Sequence, residues 1–214
     1  MQREWNNFWS ANQDRSFSNP SWSKRRIMKI LERYVDADAG MEVLDAGCGS
    51  GFFSNYFILK GCRVYSLDYS EEALTLAKRM TNNKSFKYLK RDLLNDNLTS
   101  EFKNKFDLIF TDGLFEHFTK EEQEQIMETF VKIKKDKGVI VTIVPNKYTF
   151  WTVVRPFFMP GIKEKPFSLN ELEAFVKRTS QRIIERGGLN VLPFKYSPEF
   201  LGGIVGMLVW VVSK

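Results

Sequence analysis

One histidine and two cysteines in 214 residues leave several chemistries without their raw material. Zinc and iron sites draw on clustered His and Cys, and a disulfide framework needs more thiols than Cys48 and Cys62 supply, so no metal centre is expected. Long apolar runs are also missing. The longest, "FLGGIVGMLVWVV" at 200–212, is shorter than the roughly 20 residues that span a bilayer. The opening "MQREWNNFWSANQDRS" has no basic-then-apolar order of the kind that marks a secretory signal. These absences together suit a reducing, cytoplasmic setting and a chain that is not integral to a membrane. Blocks of one charge sign are scarce as well. Net charge is +6, yet apart from "SKRR" (23–26) and "KIKKDK" (132–137) the basic residues alternate with acidic ones. A nucleic-acid footprint needs cations gathered on one face, so a polyanion partner is disfavoured.

What is present is ordinary globular material, 43% hydrophobic and 27% charged, enough for one substantial core. Short apolar runs at 42–46, 63–67, 86–90, 106–111 and 138–144 read as strands. Between them, helical spacing appears at 51–60, at 71–80 behind Ser70, and at 119–135 behind Thr119 and a Glu-rich first turn. Strands that alternate with helices imply a parallel sheet with right-handed crossovers and helices on both faces, an α/β fold. The rhythm breaks at 145–167, which holds four prolines, and resumes with a capped helix at "SLNELEAFVKRTS". Two β-rich stretches, 189–196 and about 205–213, close the chain as an expected hairpin whose last strand runs antiparallel to the rest. In the first 20 residues, Trp5, Phe8 and Trp9 share one helical face, as in an amphipathic flap.

The chemistry concentrates in "EVLDAGCGSGFF" (42–53). Gly47, Gly49 and Gly51 follow the first strand, at the end of a doubly wound sheet where ligands bind, and free the backbone to approach one closely. A dinucleotide is the obvious candidate, since Asp68 falls 21 residues beyond Gly47, where an acid would hold ribose hydroxyls. Against it, the glycines run G-x-G-x-G rather than G-x-G-x-x-G. Asp45 and Asp92 would also sit near any pyrophosphate and repel it. Carboxylates there suit a ligand without phosphate that carries ribose, amino donors and a cationic centre.

S-adenosyl-L-methionine has those features, and the sequence resembles the class I S-adenosylmethionine-dependent methyltransferases of the seven-stranded, Rossmann-like type. "VLDAGCGSG" (43–51) is similar to that family's first motif, "VYSLDYS" (64–70) to its second-strand acidic motif, "KYLKRDLL" (87–94) to its adenine segment and "FDLIFTDGLFEHF" (106–118) to its fourth-strand motif. The resemblance implies a doubly wound, mostly parallel seven-stranded sheet with an antiparallel last strand. It divides the chain into a helical flap at 1–30 and a methyltransferase domain at 31–214, with a substrate cap inserted at 146–167. It places Gly47, Cys48, Gly49 and Gly51 at the methionine part of the cofactor, with Asp45 organising that loop. Asp68 takes both ribose hydroxyls, Tyr69 lies against adenine, and Asp92 and the Leu93 backbone read its edge. Thr111 and Asp112 border the reaction centre.

No Asn/Asp-Pro-Pro-Tyr/Phe motif follows the fourth strand, where "TDGL" stands, which disfavours base or glutamine methylation, and no Pro-Cys nucleophile serves cytosine. A small-molecule acceptor remains, with an oxygen, nitrogen or carbon nucleophile. His117, just past the fourth strand, is the candidate general base; closing the pocket structurally is its competing role. Tyr148, Trp151, Arg155 and Phe158 are the candidate contacts to an apolar or aromatic acceptor, and Trp5, Trp9 and Trp22 are candidates to cover the cofactor. Ordinary packing of 146–167, or its contact with a membrane surface, are the competing uses of that segment. Two other functions stay open: a nicotinamide-dependent oxidoreductase, and a cofactor-binding partner subunit without activity of its own.

Overall fold

The computed structural model describes residues 2–14, 17–36, 40–150, 152–153, 157 and 163–214. Seven strands form one sheet: β1 (Glu42–Ala46), β2 (Arg63–Asp68), β3 (Lys87–Lys90), β4 (Phe106–Asp112), β5 (Lys134–Pro145), β6 (Ile183–Leu189) and β7 (Leu208–Ser213). Their order is β3-β2-β1-β4-β5-β7-β6. β1 to β5 pair in parallel, and β7 runs antiparallel to both β5 and β6. The expected mostly parallel sheet with a reversed last strand is therefore the one observed.

Period-two alternation on the central strands feeds two cores, one on each face. Leu44, Ile109 and Ile140 pack with Ile126, Met127 and Phe130 of α6 (Lys120–Ile133) and with Leu172, Phe175 and Val176 of α7 (Leu169–Arg178). Val43, Leu108, Phe110 and Val141 pack on the opposite face with α2 (Trp22–Leu31) and α3 (Phe52–Leu59). Each fully buried side chain of this size contributes roughly 1.5–3 kcal/mol. α4 (Glu71–Met80) lays Leu74 and Ala77 beside Cys48, and a short α5 (Leu98–Phe102) precedes β4. The anticipated caps are in place: Ser70 accepts from Ala73 N–H, and Thr119 and Ser168 each form a capping box with a glutamate three residues on.

Two placements differ from the sequence reading. The penultimate strand is Ile183–Leu189, not 189–196; residues 190–207 instead form a long connection with a 3₁₀ turn at Glu199–Leu201 that runs into a short α-turn at Gly202–Val205. Gly187 and Gly188, residues that usually weaken a strand, lie inside β6, where the Gly202 backbone leaves no room for a side chain at Gly188 and the Trp210 ring lies tight against Gly187. The proposed flap boundary at residue 30 also falls inside α2, whose Ile27, Ile30 and Leu31 are buried in the core. α1 (Gln2–Ala11) packs towards α4.

All parallel strands end on one side of the molecule. The connections after β1, β2, β3, β4, β5 and β6 therefore emerge together there, and the candidate site lies among the first four.

Candidate active site

β1 delivers Asp45 and then the glycine loop. Gly47 and Gly49 adopt φ of 75° and 50°, a left-handed backbone open to glycine at little cost. Gly47 and Cys48 N–H both donate to the Leu67 carbonyl, at 2.8 and 2.9 Å, which fastens the loop to the end of β2. Gly49 N–H donates to Asp68 Oδ2 at 3.0 Å and Ser70 N–H to Asp68 Oδ1 at 3.0 Å, so one carboxylate holds both the loop and the start of α4. Gly51 is left-handed too, at φ of 77°, and has a second job. A Cβ there would lie 2.6 Å from the Ala77 backbone, so the third glycine lets α4 approach rather than exposing backbone to the cavity.

Above this loop lies a cavity of about 620 Å³. Asp45, Cys48, Asp68, Tyr69, Asp92, Leu93 and Asp112 all line it, as do Gly47 and Gly49. Four strand ends thus bring together nearly all of the cofactor contacts expected from the sequence. Gly51 and Thr111 are absent from that lining, and Thr111 is turned away from it. It points to the other face of β4, the alternation that aims Phe110 and Asp112 at the cavity turning it away, and it is fully buried there.

Asp92 lines the cavity while its own oxygens accept from Leu94 N–H at 2.9 Å and Asn95 Nδ2 at 2.8 Å, so it also fixes the turn after β3. Trp5 and Trp9 of α1 form the roof, stacked with ring centres 6.0 Å apart. The Trp9 ring lies so close to Gly49 that a Cβ there would come within 2.8 Å of it. Trp22, by contrast, begins α2 on the exposed surface and lies outside the cavity lining.

Several site residues were not foreseen. Lys24 of α2 reaches the cavity, its ammonium 4.0 Å from the centre of the Phe52 ring, and Phe17 and Arg91 also line it. Behind Asp45 runs a buried chain of hydroxyls: Ser54 donates to Asp45 Oδ2 at 2.6 Å, and Ser66 links to Ser54 and Ser85 at 2.8 Å each. These serines stand 12 and 19 residues apart, and no local pattern connects them.

Three buried carboxyls facing one cavity cannot all ionise without cost. Burial pushes Asp45 up to about 7, against the Ser54 hydroxyl that donates to it, with Asp112 and Asp68 adding to the rise. Burial likewise raises Asp68 to about 6, opposed by the Ser70 and Gly49 amides, and Asp112 to about 6, opposed by Lys24. Each folded-state value lies above that of the unfolded chain. The stability these groups contribute is therefore fully present below about pH 4 and is lost as pH rises through 6 to 7. A cationic ligand reverses the balance by favouring the ionised forms. Its binding should thus release protons near pH 6 to 7, and calorimetry in buffers of differing ionisation enthalpy should detect the release. Proton uptake, or no exchange, would contradict this picture.

At the mouth, His117 sits in a 3₁₀ turn, Phe115–His117, directly after β4. Its Nδ1 lies 3.0 Å from the Lys163 carbonyl, an acceptor, so Nδ1 carries the proton and donates. In the neutral ring the lone pair is then on Nε2, 3.8 Å from Glu116 Oε1. Trp5 covers the ring edge-on, with centres 5.0 Å apart.

The expected acceptor contacts fare differently. Trp151, Arg155 and Phe158 lie outside the described residues. Tyr148 is exposed and away from the cavity, because Asn146 Oδ1 accepts its N–H at 3.2 Å and turns the chain outward.

A glycine-turned loop that meets three carboxylates rather than a phosphate cradle, on a sheet closed by a reversed strand, defines a cofactor-binding domain of the Rossmann-like methyltransferase class. The chain belongs to the family described as "Methyltransferase domain", whose model matches residues 37–186. Similar proteins include the malonyl-[acyl-carrier protein] O-methyltransferase of Hamiltonella defensa, 33% identical over 46% of this chain and 36% of that protein. The ubiquinone biosynthesis O-methyltransferase of Rickettsia bellii is 28% identical over 60% of this chain and 52% of that protein. The chain therefore spans about a third to a half of the length of these curated relatives. Among solved structures, magnesium protoporphyrin IX methyltransferase from Synechocystis with bound SAH shares the fold at a TM-score of 0.70. It is 15% identical, with 99% of this chain and 96% of that chain covered.

Proposed function

We propose that the protein transfers a methyl group from S-adenosyl-L-methionine to a small-molecule acceptor with an apolar or aromatic body. One observation carries the reading: Asp45, Asp68 and Asp112 converge on the glycine loop, an arrangement that suits a ligand bearing ammonium and sulfonium charge and opposes a pyrophosphate. Once bound, the cofactor supplies an electrophilic methyl group on a positively charged sulfur. The chain's own residues do the holding. The Asp68 carboxylate already accepts from the Gly49 and Ser70 N–H groups and interacts with the Tyr69 amide, and its remaining lone-pair sites would take the ribose hydroxyls. Gly47, Cys48 and Gly49 admit the methionine part against the backbone, and Asp45 keeps that loop in place through Ser54. Tyr69, Asp92 and Leu93 flank the adenine side.

Displacement at a methyl group needs a nucleophile held close and in line, and proximity supplies much of the rate. Where the acceptor is a hydroxyl, its proton must leave, and His117 Nε2 at the cavity mouth takes it. The resulting imidazolium then faces Glu116. An oxygen acceptor is favoured because both curated relatives named above are O-methyltransferases.

Two measurements test this. S-adenosylhomocysteine should raise the melting temperature while NADH leaves it unchanged; the reverse outcome would establish the oxidoreductase reading instead. His117→Ala should bind S-adenosylhomocysteine as the parent does and lose roughly 100-fold in turnover on a hydroxyl acceptor. Equal turnover would leave His117 a structural residue.

A further inference from the structure

Gln123 stands where an apolar residue would be expected. Positions 123, 126, 127 and 130 of α6 share one helical face, and the other three are Ile126, Met127 and Phe130, all buried in the core. Gln123 is buried with them, only 4% exposed. Burying a primary amide costs stability unless its hydrogens find acceptors, so a glutamine on this face needs a role that an apolar side chain could not fill.

Its hydrogen bonds supply that role. Gln123 Nε2 donates to the Phe115 carbonyl at 2.9 Å and to the Phe118 carbonyl at 3.0 Å, which uses both of its hydrogens. Phe115 opens the 3₁₀ turn and Phe118 is its C-cap, with His117 between them. A single 3₁₀ turn is weak by itself, and here its own bonds are long: His117 N–H to the Leu114 carbonyl spans 3.3 Å and Phe118 N–H to the Phe115 carbonyl 3.2 Å. The shorter bonds come from outside the turn, from Gln123 and from Lys165 N–H, which donates to the Glu116 carbonyl at 2.7 Å.

What these ties govern is the choice of acceptor for one ring proton. His117 Nδ1 lies 3.0 Å from the Lys163 carbonyl, within bonding range, while Nε2 is 3.8 Å from Glu116 Oε1, beyond it. Glu164 brings a second carboxylate, and the ligand atoms of Glu116, His117 and Glu164 all lie within 4.8 Å of one another. A small shift of the turn would let Nε2 carry the proton and donate to a carboxylate, the tautomer that a histidine side chain also favours in water. Nε2 could then no longer accept a proton.

We propose that Gln123 is a positioning residue: by tying both ends of the Phe115–His117 turn, it keeps Nδ1–H on the Lys163 carbonyl and the lone pair on Nε2. Its catalytic meaning rests on the reading of His117 as the base. Gln123 itself does not line the cavity, so it acts only through the turn.

The chain has a single histidine, so long-range proton–nitrogen NMR of the tag-free protein reads the His117 tautomer directly and needs no methyl acceptor. At a pH where the ring is neutral, the parent should show Nδ1 protonated and Nε2 bare. Gln123→Met keeps the length of the side chain but removes its donors, and it should raise the fraction protonated on Nε2 about fivefold. Gln123→Glu, which as a buried acid keeps one donor, should fall between the two. The melting-temperature shift caused by S-adenosylhomocysteine should survive in both variants, showing that the fold and cofactor cavity are intact. A role confined to structure would lower the melting temperature and leave the tautomer unchanged, and that outcome overturns the proposal. So does a parent protonated on Nε2, a result that does not depend on any variant folding. If the tautomers behave as expected while His117→Ala keeps full turnover on a hydroxyl acceptor, the base reading fails and the positioning by Gln123 stands.

Discussion

Asp68→Asn should weaken S-adenosylhomocysteine binding by about 100-fold, close to 3 kcal/mol. The carboxylate has two acceptor oxygens, and the fold uses both: Oδ2 takes Gly49 N–H and Oδ1 takes Ser70 N–H, each at 3.0 Å. An asparagine offers one oxygen and one NH₂ group. Whichever way it turns, a donor meets a backbone donor, and either the glycine loop or the start of α4 loses its tether. The substitution also removes the charge that strengthens hydrogen bonds to ribose hydroxyls, bonds worth about 1.5–3 kcal/mol each when one partner is ionised. The effect on the ligand-free fold should be smaller. Burial has already raised the Asp68 carboxyl to about 6, so a neutral side chain relieves part of that strain at pH 7.5 or above. Titration calorimetry and urea unfolding on the same variant separate the two effects. An affinity within threefold of the parent would reduce Asp68 to a helix-start residue and remove the ribose from its role.

Much of this site could be read from the chain because its parts are local. An aspartate at or next to the end of a strand, with a glycine or a capping serine within two residues, carries its own signal, and Asp45, Asp68 and Asp112 all arise that way. The same is true of the helix starts at Ser70, Thr119 and Ser168. Thr111 obeys the same local rule. Strand alternation sets it opposite Phe110 and Asp112, so choosing Asp112 for the cavity already excluded its neighbour. Lys24 and the chain Ser54, Ser66 and Ser85 belong to a different category. Their positions depend on how α2, α3 and β2 stack, and the sequence holds no short-range trace of that arrangement. The glycine loop lies between these cases. Its left-handed turns at Gly47, Gly49 and Gly51 follow from residue type, whereas the close approach of Ala77 to Gly51 appears only once α4 is packed against it.

Gly188→Ala should cost about 3 kcal/mol of folding stability, at the upper end of what an overpacked core site loses. An added Cβ would lie 1.9 Å from the Gly202 carbonyl oxygen, and a Cβ on Gly202 would lie 2.1 Å from the Gly188 carbonyl oxygen. Both obstacles are backbone, so no side-chain rotation relieves either. The turn that carries Gly202 is held in turn by Asn146 Nδ2, whose bonds to Ile204 and Gly206 would stretch if it moved away. Gly188 does not have a positive φ, unlike Gly40 at 58°, where a Cβ would meet nothing within 4 Å among the described residues. The two positions therefore isolate the two reasons for glycine. Gly40→Ala carries only the conformational penalty of a left-handed residue, about 1 kcal/mol, while Gly188→Ala carries only the collision. Urea unfolding at constant m-value should rank Gly188→Ala well below Gly40→Ala in stability, and equal losses would refute the close approach. That approach is why "IIERGGL" makes a strand although its composition argues against one: β6 needs the glycines to let the 190–207 connection fold down over it.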